Sequence, residues 1–291
     1  MIKNFPYVLL CTFWMLTISS CAFKIVNRTK DITYLNADST KKIVEQKLNV
    51  FAPRKKGKLK DVFIFVYGGT WNSGYKSLYN FLGNRMARKN VVTVIMDYPK
   101  SPGATYDVMA EDVAKSVKWV KDNIEKYGGD PNKIYISGHS AGGHLSALIS
   151  VRNDYFERLG ISNPIKGTIL IDAAGIDMYS YLMESKFPEG NTFIQTFTNN
   201  PIAWKDASPL YHLRKSIPPM LIYVGEKTYP SIIIGNDLLV DSLRKINIDP
   251  IFYTLKGKKH KPMITQFLNP YSHRYKEIKD FMRNNNRENQ K

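Results

Sequence analysis

The feature that most constrains this chain is an alternation of short, nearly all-apolar runs with segments of helical periodicity. The runs are Gln46 to Phe51, Val62 to Tyr67, Val91 to Asp97, Lys133 to Ser137, Gly167 to Asp172, Met220 to Gly225 and Pro250 to Leu255. A strand that is apolar on both sides needs cover on both faces, and strands that alternate with helices pair mainly in parallel. Between the runs, Val113, Val117, Val120 and Ile124 repeat at the spacing of one buried helix face, which predicts a helix over 107–127. Asp107 is its expected cap and Gly128-Gly129 its expected stop. Further helices are predicted over 79–89, 140–151, 232–246 and 272–284. The expected fold class is α/β, a mostly parallel sheet with helices on both faces. A polar lead over 24–40 carries no strand pattern. One stretch, about 178–215, breaks the alternation with Tyr179, Tyr181, Phe187, Phe193, Phe197, Trp204 and Tyr211. It is predicted to form a small cap insertion over the carboxyl edge of the sheet, where ligands bind in such folds.

The amino terminus carries a separate signal. Lys3 precedes an apolar run from Phe5 to Ile18, shorter than the roughly 20 residues that span a bilayer. The run closes in Ile18-Ser19-Ser20-Cys21, which resembles the bacterial lipobox. That resemblance implies a signal peptide over 1–20, acylation of Cys21, and a chain of 271 residues (291 minus 20) attached to a membrane in the cell envelope. A chain of that length suits one large domain. Cys11 would leave with the signal, so no disulfide is expected. The net charge of +17, from 42 basic and 25 acidic residues, is spread along the sequence, and its densest run, Arg54 to Lys60, reads as a solvated turn. No nucleic-acid-binding module is visible.

Chemistry concentrates where the run Lys133 to Ser137 passes into Gly138-His139-Ser140-Ala141-Gly142-Gly143 and then an apolar helix. This GxSxG pattern has the strand, turn and helix that a nucleophilic serine requires, with glycines leaving room for a sharp, strained bend. Ser140 is the candidate nucleophile, and the amide of Ala141, at a helix N-terminus, is a candidate oxyanion donor. Upstream, Tyr67-Gly68-Gly69-Thr70-Trp71 follows a strand, and the amides of Gly69 and Thr70 complete the candidate oxyanion hole.

With these motifs the chain resembles the α/β-hydrolase branch of kynurenine formamidase-like enzymes and feruloyl and acetyl xylan esterases. The matching pieces are YGGTW, Asp97-Tyr98-Pro99, GGDPNKIYISGHSAGGHLSAL, WKDASPLYHL, VGEK and KKHKPM, in the family's order over 60–265. Tyr67 departs from the pattern, standing where the family has a histidine that braces the oxyanion loop. By chain order the general base is His260, after the last predicted strand, with His139, His144, His212 and His273 given structural readings. The acid is less determined, because Thr228 stands where the family places aspartate. Glu226 is the first candidate, followed by Asp177 and Asp237. The resemblance implies a serine carboxylesterase that works through an acyl-enzyme, with no cofactor or metal, on acyl groups of a carbohydrate or another extracytoplasmic ester. An arylformamidase-like C–N hydrolase and a non-catalytic binding lipoprotein on the same fold are the alternatives.

Overall fold

The structure, a computed structural model, describes residues 26–40, 43–54 and 57–288; the predicted signal peptide and Cys21 lie outside them. The strands are β1 (Val26–Leu35), β2 (Gln46–Pro53), β3 (Lys60–Val66), β4 (Val92–Met96), β5 (Gly129–His139), β6 (Ile165–Ile171), β7 (Met220–Gly225) and β8 (Ile251–Leu255). They form one sheet in the order β1-β2-β4-β3-β5-β6-β7-β8. β1 and β2 pair antiparallel, β2 pairs antiparallel with β4, and every pair from β4 to β8 is parallel.

The helices are α1 (Asn80–Arg88), α2 (Tyr106–Asn123), α3 (Ala141–Val151), α4 (Asp154–Glu157), α5 (Met178–Ser185), α6 (Thr192–Phe197), α7 (Pro201–Asp206), α8 (Pro230–Lys245), α9 (His260–Thr265) and α10 (Arg274–Glu288). They cover both faces, as side-chain parity on β6 shows. Gly167 lies against the Phe281 ring of α10, whereas Leu170, three residues on and so on the opposite face, packs in a cluster with Leu239, Val240 and Leu243 of α8. Each fully buried Leu or Phe in such layers contributes roughly 1.5–3 kcal/mol. The helix α3 is buried along its whole length, which holds the turn before it rigidly.

Two local expectations are corrected. The polar lead contains β1, a sheet-edge strand whose first six residues run from half-buried Val26 to fully exposed positions, so it has no apolar pattern to read. Asp107 does not cap α2; Thr105 occupies that position without a side-chain bond, and Asp107 instead accepts from the Tyr155 hydroxyl at 2.7 Å. Between β6 and β7, residues 178–206 fold as α5, α6 and α7.

Candidate active site

The parallel strands bring their carboxyl ends to one edge, and two of the side chains singled out from the sequence, Ser140 and His260, meet there. Ser140 follows β5 and opens α3 with φ 55° and ψ −124°, a left-handed conformation that costs a residue with a side chain of order 1–3 kcal/mol. The bend is possible because nothing larger than hydrogen fits beside it. A β-carbon on Gly138 would lie 2.1 Å from the Gly142 carbonyl oxygen, and one on Gly142 would lie 2.1 Å from the Val66 carbonyl oxygen.

His260 starts α9, after β8, and its Nε2 lies 2.8 Å from Ser140 Oγ. Its Nδ1 lies 2.5 Å from Asp172 Oδ2. Asp172 stands one residue beyond β6, fully buried, with φ 51°. The carboxylate on His260 is therefore Asp172 and not Glu226, which corrects the sequence expectation. Glu226 is exposed on the turn after β7, where its Oε2 accepts the Gly257 amide at 2.7 Å. Asp177 caps α5, accepting from the Ser180 amide at 3.1 Å and from the Tyr211 hydroxyl at 3.3 Å. Asp237 is exposed on α8.

Gly69, Thr70 and Trp71 carry φ of 144°, 50° and 58°, so the loop after β3 coils in the left-handed region next to Ser140. The amides of Gly69, Thr70 and Ala141 have no acceptor among the described residues. Tyr67, in the position expected for a bracing histidine, is buried; its hydroxyl donates to Asp97 at 3.1 Å and its carbonyl accepts from the Tyr98 hydroxyl at 2.9 Å. Lys76 locks the same carboxylate through its amide at 2.7 Å and its Nζ at 3.0 Å, and also pairs with Asp31 at 2.9 Å. Burial opposes the charge on Lys76, but the two carboxylates outweigh it and hold its pKa above the ordinary lysine range. The loop after β3 is thus braced through Asp97 instead of a histidine.

His139, the last residue of β5, stacks on His260 with ring centroids 4.6 Å apart, and its Nε2 donates to the His260 carbonyl at 3.2 Å. Burial, and then the neighbouring His260, push its pKa down to about 3, so it is a neutral support for the imidazole. Ser140 and His260 open onto a cavity of about 810 Å³ walled by Trp71, Tyr181, Phe193, Tyr229, Ile232 and Ile264. Sequence reasoning missed Asp172 because it closed an apolar run and passed for a strand end. A carboxylate ending a fully buried strand at the carboxyl edge was the available signal.

A largely parallel sheet in this strand order, with a strained serine on the turn after β5, defines the α/β-hydrolase fold. The chain belongs to the BD-FAE family, whose model matches residues 48–230. It is similar to isoprenylcysteine alpha-carbonyl methylesterase ICME of Arabidopsis thaliana, 27% identical over 76% of this chain and 55% of that protein. It is also similar to Esterase LipQ of Mycobacterium tuberculosis, 32% identical over 59% of this chain and 42% of that protein. The chain spans about half the length of the curated relatives it matches. Among solved structures, Esterase B of Lactobacillus rhamnosis superimposes with a TM-score of 0.75 over 97% of both chains at 15% identity.

Proposed function

We propose that this chain is a serine carboxylesterase in which Ser140 is the nucleophile, His260 the general base and Asp172 the acid. The observation that carries the reading is the unbroken relay from Ser140 Oγ to His260 Nε2 at 2.8 Å and from Nδ1 to Asp172 Oδ2 at 2.5 Å, at the floor of an apolar cavity. His260 Nε2 takes the hydroxyl proton as Oγ attacks the ester carbonyl carbon, and the amides of Gly69, Thr70 and Ala141 receive the oxyanion. The imidazolium returns that proton to the departing alcohol oxygen. Water, deprotonated by the same nitrogen, then attacks the acyl carbon, and the imidazolium returns that proton to Ser140 Oγ as the acyl–Oγ bond breaks and the acid leaves, while Asp172 accepts the Nδ1–H hydrogen bond throughout. The relatives bearing esterase names support this chemistry.

The aromatic and aliphatic walls favour an ester with an apolar acyl or alcohol group of some size. The lipobox-like Cys21 points to an ester met outside the cytoplasm, such as acyl groups on a carbohydrate, and to attachment of the chain at a membrane. A purely binding role would leave the strained Ser140 backbone and the aligned buried carboxylate without a use. The direct test is labelling of the purified protein by a fluorophosphonate probe. Labelling is expected in the parent and absent in Ser140→Ala, whose kcat on p-nitrophenyl butyrate should fall on the order of 10⁶-fold. An unlabelled parent protein overturns the reading. Comparing turnover of p-nitrophenyl butyrate with that of an N-formyl arylamine separates ester from C–N cleavage.

A further inference from the structure

Asp172 reaches His260 from β6, yet the groups that hold its carboxylate come from β7 and the turn after it. Oδ1 accepts the Gly225 amide at 2.8 Å. Oδ2 is shared: it faces His260 Nδ1 and also accepts the hydroxyl of Thr228 in a short bond. Thr228 is held in its turn by its backbone N–H, which donates to the Gly225 carbonyl at 3.2 Å, and its Oγ1 lies 3.4 Å from His260 Nδ1. The side chain at 228 therefore touches both members of the pair, the carboxylate by donating to it and the imidazole by proximity.

A buried carboxylate with one oxygen aimed at an imidazole has a rotational freedom that must be restricted, because rotation about its last bond exchanges or withdraws that oxygen. The Gly225 amide restrains one oxygen only. The Thr228 hydroxyl restrains the other, on the side from which Nδ1 approaches.

We propose that Thr228 is a positioning residue of the triad, its hydroxyl fixing Asp172 on His260. This rests on the reading of Ser140, His260 and Asp172 given above. Thr228→Val keeps the shape and removes the hydroxyl. Its kcat on p-nitrophenyl butyrate falls about tenfold with KM nearly unchanged, and the acidic limb of its pH–kcat/KM profile moves to lower pH, because a carboxylate that drifts from Nδ1 stabilises the imidazolium less. Thr228→Ser, which restores the hydroxyl, returns both rate and profile. Asp172→Asn loses on the order of 10⁴ in kcat.

A Thr228→Val protein with the parent's rate, or with a limb that stays in place or moves up, overturns the positioning role. Melting curves of Thr228→Val confirm that it is folded when its rate and profile are read. If Asp172→Asn by itself stays within tenfold of the parent, the triad reading fails first and the proposal falls with it, whereas a large loss in Asp172→Asn isolates any failure to Thr228.

Discussion

Trp71 donates its indole N–H to Nδ1 of His144 at 3.2 Å, which ties the loop after β3 to the helix that begins just after Ser140. The other nitrogen of His144 donates to the Ala207 carbonyl at 2.7 Å, so the ring joins the loop after β3, α3 and the segment after α7. Phe193 and Phe197 of α6 meet the Trp71 ring edge-on at 5.8 and 5.0 Å. Trp71→Phe should preserve the packing but leave Nδ1 of a buried imidazole without a donor, at a cost of about 1–3 kcal/mol. The amides of Gly69 and Thr70 immediately precede this anchor. A lower melting temperature together with a reduced kcat is expected, and a variant that melts lower but turns over at the parent's rate would separate the anchor from the oxyanion loop.

Two buried histidines, His139 and His144, set an acid limit on stability. Burial pushes His144 down to about 4; for His139, burial and then His260 push it to about 3. Below the unfolded value near 6.5 the unfolded chain takes up a proton that the folded ring refuses, so unfolding gains protons and stability falls as pH falls. Each ring contributes a slope of up to about 1.4 kcal/mol per pH unit, from near pH 6.5 down to its folded pKa. Urea midpoints at pH 7, 6 and 5 should decline steadily, and His144→Gln should decline less steeply than the parent. Equal midpoints at pH 7 and 5 would contradict the assignment of both rings as neutral.

The parts of this site that were legible in the sequence are those whose backbone restricts the residue type. Gly138 and Gly142 must be glycine for Ser140 to sit on its bend, so the turn announces itself, and His260 could be placed by its position after the last apolar run. Asp172 left only a fainter sign, a carboxylate closing an apolar run. Its place on His260 depends also on donors contributed by β7, relations between strands that no local pattern carries. Glu226 was nearer in sequence to the expected position, but its carboxylate goes to the Gly257 amide while Thr228, two residues on, reaches the histidine. The strand β1 escaped notice for a related reason, since an exposed edge is hydrogen-bonded on one side and needs no apolar face.

Attachment through Cys21 is tested by Cys21→Ser in the native host. The variant should still be exported, and the protein should shift from the membrane fraction to the soluble fraction, because a single acylated terminus is replaced by none. Unchanged attachment would point to retention of the apolar run over 5–18 as an anchor or to adhesion through the basic surface.

The remaining carboxylates near the site should be close to silent in the chemical step. Glu226 is exposed, and Glu226→Gln keeps an oxygen able to accept the Gly257 amide, so its kcat should stay within about tenfold of the parent. Asp177→Asn retains a side chain that caps α5 well, and since residue 177 lines the cavity its effect should fall on KM more than on kcat. Asp237, on the exposed face of α8, should alter neither constant. Steady-state kinetics of the three variants on one p-nitrophenyl ester decide the matter. A hundredfold loss of kcat in Glu226→Gln would return the acid to the turn after β7, against the burial of Asp172 and its 2.5 Å approach to His260. A comparable loss in Asp177→Asn would mean that α5 swings its cap residue onto the histidine during turnover, which would break the bond to the Ser180 amide and fray the start of that helix.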